Sequence, residues 1–527
     1  MGLFVMHRSI DSSPGRRFLS LAGGTALVLL YPMLLLGQGP DARKSADSEK
    51  GKASGGGAKS AGVKADASKG GGMEGMDMGK DEPAPGENAD DQDEAHAGVD
   101  ASKMKRTKSG VEHFTDPNVE AAMTNKFPEV AGLSRFDSKP LDEMIRGVAP
   151  IDRGTIQKFV TAQAVGLTSR RNIEAWLSTN AGSNTKKTNL NQAIEISNST
   201  KQLLLILRES EKNPAFRSVY LEMLRSTLTP LLERHLATRF EAMVVLSKTA
   251  DPELIGVFTS QIENPRQLIG VKMLAAHGIT RITNRGQRLT INPQESIRAA
   301  KALTSFLQTE KETVWFAQLR ALEALGSLRF SAVPLQGQGK AEMANEAMRY
   351  VADSGVRLEV RAMACWALGW MRFTTQDKPN FDLIARGIGE VTADIGRMML
   401  RADDDHVRGL LGIIVTEILP AFTGSANVAD SGLFNSAKNT SSTKTLTEVY
   451  QQIKSLGLVA RKLMLVPRTN PKLMKDTRDE LEGQVNTLRD LLAKIAPKDN
   501  HLTPAGPTFQ FGGPAEAGVA SSVRPRE

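Results

Sequence analysis

Three closely spaced methionines and a following histidine are the residues of this chain best suited to metal chemistry. Met73, Met76 and Met78 stand together in a Gly-rich stretch, and His96 follows them. Methionine thioethers select Cu(I), so one interpretation is copper handling by an exported segment. The other is a plain linker, because nothing in such a low-complexity stretch holds the ligands in place. Both interpretations stay open, and no resident cofactor is predicted.

The sequence lacks the motifs of familiar enzymes. It contains no Gly-x-x-x-x-Gly-Lys loop, no nucleophile elbow and no His-Glu-x-x-His zinc motif. His235, His277 and His406 stand far apart, and we expect each to be a satisfied helical or surface residue. The acidic run before His406 complements the positive end of a helix. The chain is therefore predicted not to be an enzyme, with an active site assembled from scattered helical residues as the alternative.

A pair of tryptophans is the strongest candidate for contact with a partner. Trp366 and Trp370 are four residues apart, which places them on one face of a helix. Tryptophan carries much of the binding energy at protein interfaces, so an exposed pair would be a natural anchor. Arg361 and Arg320 are predicted as further anchors. The alternative is that neighbouring helices cover the pair.

The tryptophan pair lies in a segment that has a copy upstream. Ala367 to Phe373 reads Ala-Leu-Gly-Trp-Met-Arg-Phe, and Ala324 to Phe330 reads Ala-Leu-Gly-Ser-Leu-Arg-Phe. Glu323 and Ser327 stand where the second copy has its tryptophans, which indicates a solvated face. A glycine inside a helix costs ~1 kcal/mol relative to alanine, so its recurrence indicates close packing. Self-similarity at this spacing is typical of stacked helical hairpins.

The strongest unit, Val360 to Met371, resembles the second helix of HEAT repeats. That family's pattern is Val-Arg-x-x-Ala-Ala-x-Ala-Leu-Gly-x-Ile, and Cys365 replaces one alanine here. Weaker copies lie at Ala317 to Leu328 and Leu274 to Ile282, and the resemblance covers Arg239 to Phe422. It implies a curved, armadillo-like α-solenoid that binds proteins along its concave side. The predicted function is therefore a non-catalytic protein-binding scaffold.

Helical periodicity extends well beyond the clearest repeats. Apolar residues recur at three- and four-residue steps from about Pro140 onward, separated by turn signals, which predicts an all-α fold. We expect a HEAT-like domain over 140–422, a polar loop over 423–444 that forms a plausible boundary, and a helical pair over 445–498. The pair is a possible C-terminal cap. The Gly- and Pro-rich tail over 499–527 is predicted to be disordered.

The N-terminal residues 1–37 are predicted to be a signal peptide or a transmembrane anchor. Three arginines precede Phe18 to Gly37, twenty residues without a charge that would span ~30 Å as a helix. Residues 38–139 are mostly Gly, Ala, Ser, Lys, Asp and Glu, and should form a disordered linker. Basic residues before the apolar stretch place the body outside the cytoplasm, in the periplasm or cell envelope of a bacterium. A single cysteine excludes an intrachain disulfide.

The balance of charged residues excludes few classes of binding partner by itself. The net charge of +8 arises from 67 basic and 59 acidic residues, which describes an ordinary mixed surface. No nucleic-acid motif accompanies it, so no specific nucleic-acid binding is predicted. The expected partner is a protein of unknown identity, with the membrane contacted through residues 18–37. Electrostatic binding of an anionic wall polymer is a further alternative.

Overall fold

The computed structural model describes residues 138–511 except for 181–186, 285–290, 312, 333–340, 375, 427, 468 and 496–498, together with short stretches between 104 and 136. All the described residues belong to one compact unit. The apolar stretch over 18–37 and the cluster of Met73, Met76, Met78 and His96 lie outside the described residues.

Helices form nearly all the regular structure of the described residues, so the all-α prediction is confirmed. The exception is an antiparallel ribbon of β1 (Met104–Arg106) and β2 (Glu112–Phe114). The first helices are α1 (Val119–Thr124), α2 (Lys139–Ile145), α3 (Arg153–Thr168), α4 (Arg170–Asn180), α5 (Lys187–Glu209) and α6 (Pro214–Leu228). The central ones are α7 (Leu236–Lys248), α8 (Ile255–Glu263), α9 (Ile269–Asn284), α10 (Pro293–Thr309), α11 (Trp315–Leu328), α12 (Glu342–Ala352) and α13 (Leu358–Trp370). The last are α14 (Phe381–Arg401), α15 (Asp404–Ile413), α16 (Leu419–Thr423), α17 (Leu433–Ser436), α18 (Thr443–Leu465) and α19 (Pro471–Lys494).

Asn-Pro pairs start three of these helices. At α6, α10 and α19 the proline takes the first helical position, and the side chain of the preceding asparagine accepts a backbone N–H bond. Those asparagines are Asn213, Asn292 and Asn470. Proline suits the first turn because its missing N–H would have no helical partner there. The turn signals in the sequence therefore mark real helix starts.

The central helices pack in two rows. We name α7, α9, α11 and α13 the first row and α8, α10, α12 and α14 the second row. Each first-row helix packs against the next member of its row, and the second row does the same beside it. The first row is apolar on most sides: every residue from Val360 to Trp370 of α13 is buried. A helix that is hydrophobic all round belongs in a core, which is where this row lies.

The two copies of the repeated segment lie side by side and run in the same direction. Phe330 and Arg372 form a parallel bridge, and the Arg372 N–H donates to the Arg329 carbonyl at 2.9 Å. Ser331 Oγ donates to the Arg372 carbonyl at 2.8 Å. One turn earlier, Gly326 of α11 meets α13 closely. Equivalent positions of the repeated sequence are therefore neighbours in space.

The C-terminal helices α18 and α19 form the expected pair. They pack against each other and against α14. Gly389 and Gly396 of α14 leave room for Leu492 and Val485 of α19. A Cβ atom on Gly389 would collide with Leu492 Cδ2, and one on Gly396 would lie 2.5 Å from Val485 Cγ2. The pair therefore covers the α14 end of the second row. Whether it acts as a repeat cap stays a prediction.

A π-helical turn, Ile414–Ile418, joins α15 to α16. The continuous segment Asp405–Thr423 is long and apolar enough to cross a membrane by length and composition alone. A third of its most apolar window is buried, and the π turn and α16 pack on α13. Core helices of soluble proteins also pass that test, so this is weak support for membrane contact.

The predicted linker over 38–139 is ordered near its C-terminal end, which corrects that assignment. The Ile269 N–H donates to Asp116 Oδ2 at 2.6 Å, so this aspartate caps α9. The Asn118 side chain donates to the carbonyls of Pro265 and Gln267 at 3.1 Å, and Ala122 of α1 is buried. Val119, Met123, Val130 and Phe136 pack against the core, and the Phe136 ring lies 5.9 Å from that of Phe159. Backbone capping and apolar contacts together therefore hold this stretch in place.

The predicted disordered tail over 499–527 is also wrong for residues 499–511. Leu502 and Phe509 are buried, and the Asn380 N–H donates to the Leu502 carbonyl at 2.8 Å. The Asn380 side chain donates to the Asp499 carbonyl at 2.9 Å. This segment therefore packs at the start of α14, and its two large apolar side chains hold it there.

The 423–444 stretch is largely irregular, as expected, but it is not a boundary between units. It contains α17, and the Gly432 N–H donates to the Gly369 carbonyl at 2.9 Å. Leu433 and Ser431 are buried. The loop is thus attached to α13 in the first row.

Candidate functional site

The tryptophan pair is on one helical face, but it is not exposed. The rings of Trp366 and Trp370 stack at 4.5 Å between centroids, and each side chain is 9% exposed. A Cβ added to Gly326 would lie 2.8 Å from Trp366 Cζ3, so α11 packs under the pair. The structure therefore confirms the alternative that neighbouring elements cover the pair, since α11 and the π turn both pack on α13, and an exposed hot spot is ruled out.

Arg361 is likewise buried rather than free for a partner. Its Nη1 lies 2.7 Å from Asp394 Oδ2 of α14, and its Nε donates to the Val351 carbonyl at 3.2 Å. The side chain is 5% exposed. This arginine ties α12, α13 and α14 together, which corrects its assignment as a partner anchor.

Arg320 is the predicted anchor that stays partly accessible. Its side chain is 21% exposed and forms an ion pair with Glu323, one turn further along α11. Glu323 is 19% exposed. The solvated face that the repeat comparison predicted at Glu323 is thus half-buried.

Partly buried polar side chains form a band across the first row. The described contacts and charges connect its members from α7 to the π turn, and we name the band the polar strip. Its members are Lys248, His277, Arg281, Arg320, Glu323, Trp366, Trp370 and Glu417. Sequence reasoning gave a role to His277, Arg320, Glu323, Trp366 and Trp370, but none to Lys248 and Glu417. No sequence motif marks Lys248 and Glu417, and they belong to the polar strip only because the folded helices place them beside its other members.

His277 is the most unusual member of the polar strip. It is 7% exposed, and neither ring nitrogen has a hydrogen-bond partner among the described residues. Burial lowers the pKa of His277 to about 2, and the positive charges of Lys248, Arg320 and Arg281 lower it further. The ring is therefore neutral at physiological pH. Each buried polar atom left without a partner costs about 1–3 kcal/mol, so this is not the satisfied histidine we expected.

Lys248 carries a charge in the same neighbourhood. The charged side chains that act on it are Arg281 and Arg320, both of them positive. Burial lowers the pKa of Lys248 to about 8, and repulsion from Arg281 and Arg320 adds to the effect. The strip therefore holds several mutually repelling cations at its α7 end.

The opposite end of the polar strip is acidic. Burial raises the pKa of Glu417 to about 7, and the negative charge of Glu323 acts in the same direction. Glu417 Oε2 and Trp370 Nε1 are buried with no hydrogen-bond partner among the described residues. The strip thus changes from positive to negative along its length, with unpaired polar atoms at both ends.

The remaining candidates do not form a site. Asp403 caps α15, since its Oδ1 accepts the backbone N–H of His406 at 3.0 Å. His235 accepts the Ala237 N–H at 3.3 Å, and burial lowers the pKa of His235 to about 4. Among the described residues, no group of three or more His, Cys, Asp or Glu side chains could hold a metal ion. A cavity of about 520 Å³ between α18 and α19 is lined mainly by Thr, Gln and acidic side chains.

The chain matches no protein-family model, no curated protein and no solved structure.

Proposed function

We propose that this chain is a non-catalytic scaffold of the cell envelope, built as a HEAT-like α-solenoid and tethered through residues 18–37, which binds a protein partner along the polar strip. The observation that carries the proposal is the parallel alignment of the repeated segments. Phe330 of one copy bridges to Arg372 of the next, and the same glycine position provides the close approach in α11 and α13. Stacked hairpins of this kind present a continuous surface rather than a catalytic pocket.

The polar strip is the part of that surface best suited to a partner. Arg320 and Glu323 are its partly exposed charged members, with side chains 21% and 19% exposed. A bound polypeptide, with donors and acceptors along its whole backbone, would contact these two side chains.

In vivo photo-crosslinking tests the proposal. A photoreactive amino acid replaces Glu323 in the polar strip, and the control replaces Lys301, which is exposed on α10 of the second row. We expect a crosslinked protein from position 323 that is absent from position 301 and that weakens when Arg320→Met is added. Equal products from both positions, or none from either, would contradict the proposed surface.

Location is tested separately. Protease added outside the cytoplasmic membrane should digest the body in spheroplasts while leaving a cytoplasmic marker intact. Protection of the body until the membrane is lysed would contradict export.

A further inference from the structure

The α7 end of the polar strip brings basic side chains from three adjacent helices to one place. Lys248 is in the last turn of α7 and Arg281 is in the last turn of α9. Gly270, near the start of α9, approaches the Phe240 ring near the start of α7, where a Cβ would be 3.1 Å from Cε2. The two helices thus meet near their starts, and the charges of Lys248 and Arg281 act on each other, so their last turns are also neighbours. Arg320 comes from α11, which packs on the other side of α9.

His277 lies in the middle of this group. It is one turn before Arg281 on the same face of α9, and it is more than nine-tenths buried. Neither of its nitrogens has a partner among the described residues. A neutral imidazole offers one N–H donor and one acceptor, so the group contains a buried donor that no described residue uses.

Local explanations account for only part of this arrangement. Cations in the last turn of a helix offset the negative end of its dipole, which gives Lys248 and Arg281 a reason to be there. Arg320 is in the second turn of α11, where that reason does not apply. Arg281 also contacts other residues, so its part here is its charge rather than a vacant hydrogen bond. The convergence of three cations on an unpartnered histidine remains unexplained by the fold alone.

We infer that Lys248, His277, Arg281 and Arg320 form a binding site for a phosphate-class oxyanion. Glu323 offsets the charge of Arg320, whereas the charged groups that act on Lys248 are all positive, so the Lys248 ammonium has no acidic group acting on it. The Arg320 guanidinium and the Lys248 ammonium suit tetrahedral oxyanions, and the His277 N–H supplies a directed hydrogen bond. The phosphate is either free or the terminal group of a monoester. Anion binding here does not depend on the proposed protein partner, so either proposal can fail while the other stands.

Calorimetry on the full-length protein in detergent, at constant ionic strength, tests the site. Inorganic phosphate and glycerol 3-phosphate are titrated separately against a chloride reference. We expect saturable binding of at least one of them. Tighter binding of inorganic phosphate would identify free phosphate as the ligand, and tighter binding of glycerol 3-phosphate would identify a phosphate monoester. Binding should weaken by about tenfold or more in Lys248→Met, as loss of a charged hydrogen bond predicts. The matched control Lys301→Met, on the second row, should bind as the parent does.

His277→Leu separates a ligand site from a structural defect. The leucine removes two unpaired buried nitrogens, so the thermal midpoint without phosphate should rise while the phosphate-dependent increase is lost. No saturable binding of either phosphate, or equal binding by the parent and Lys248→Met, would overturn the inference. Equal loss in Lys301→Met and Lys248→Met would also overturn it, since that result indicates an adventitious ion only.

Discussion

Gly326 lies so close to Ala367 that a Cβ atom on the glycine would come within 2.7 Å of the Ala367 Cα. The obstacle is backbone, which cannot turn aside as a flexible side chain can. The second copy of the motif repeats the relationship, since a Cβ on Gly369 would lie 2.5 Å from the Ala421 Cα. The repeated glycine therefore sets the distance from α11 to α13 and from α13 to α16.

Gly326→Ala should destabilise the protein although alanine is the better helix former. The added methyl group forces α11 and α13 apart, and overpacking of this kind costs about 1–3 kcal/mol. Urea unfolding followed by circular dichroism measures the change in the free energy of unfolding.

Gly409→Ala is the matched control for that substitution. Gly409 lies within α15, and nothing stands within 4 Å of the position that its Cβ would take. Here the alanine should stabilise the protein by about 0.4–1 kcal/mol through the lower entropy of the unfolded chain. If both substitutions change stability by the same amount and sign, the close approach at Gly326 is not what holds the first row.

The repeat was readable from sequence because it depends on local residues, whereas the burial of its tryptophans was not. The glycine of the Ala-Leu-Gly segment makes the contact between α11 and α13, so the motif itself predicts that contact. The face of Trp366 and Trp370 is covered in part by the π turn, whose sequence carries no copy of the motif. Because Glu323 and Ser327 occupy the equivalent positions in the first copy, the comparison predicted a solvent-exposed face at the tryptophans, where the π turn in fact packs. Exposure depends on neighbours that a single repeat does not encode.

Arg361→Ala should reduce stability rather than partner binding. Removing one member of a buried ion pair leaves Asp394 with less compensation, at a cost of about 3–5 kcal/mol. Arg397 also pairs with Asp394, so the lower part of that range applies. Thermal and urea unfolding both report the loss.

Arg298→Ala provides the comparison for the buried pair. Arg298 and Glu263 form an exposed ion pair, with side chains 46% and 40% exposed. Surface pairs contribute about 0–1 kcal/mol, so this variant should be close to the parent. A larger loss in Arg298→Ala than in Arg361→Ala would show that Arg361 does not hold α14 to α13.

The order of residues 499–511 was not predicted from the sequence, because only two buried side chains hold this segment in place. Leu502 and Phe509 stand among glycines, prolines and polar residues, without a helical or strand period. A chain that ends at residue 498 should lose about 3 kcal/mol of stability, since burying each such side chain contributes about 1.5–3 kcal/mol and some of the surface is re-covered. A chain that ends at residue 511 keeps both side chains and should unfold as the parent does. Equal stability of the two truncated chains would contradict the packing of 499–511.

Cys365 should react with thiol reagents only when α13 opens. The thiol is fully buried, and burial raises its pKa to about 12, so the reactive thiolate is scarce at neutral pH. Labelling of the native protein should be slow and should accelerate in Gly326→Ala, which loosens the helix that carries the cysteine. Fast labelling of the folded parent protein would show that α13 is not part of a stable core.

Glu241 should make the protein less stable as the pH rises from about 4.5 to 7. Its carboxyl is buried, and burial raises the pKa to about 7 although the Thr200 hydroxyl donates to Oε2 at 2.7 Å. Because the folded protein holds this proton more tightly than the unfolded chain, the stabilisation is complete below pH 4.5 and is lost through pH 7. The free energy of unfolding that Glu241 contributes therefore falls by roughly 3 kcal/mol across this pH range.

Glu241→Gln isolates this contribution, since glutamine is neutral throughout. The stability of the variant relative to the parent should rise between pH 5 and pH 8, while Glu253→Gln, at an exposed position, should follow the parent curve. The buried histidines have the opposite slope: the lowered pKa of His235 costs stability as the pH falls below about 6.5. That effect is common to all three proteins, so it cancels in the comparison. A difference between Glu241→Gln and the parent that stays constant from pH 5 to 8 would show that the carboxyl ionises freely in the folded protein.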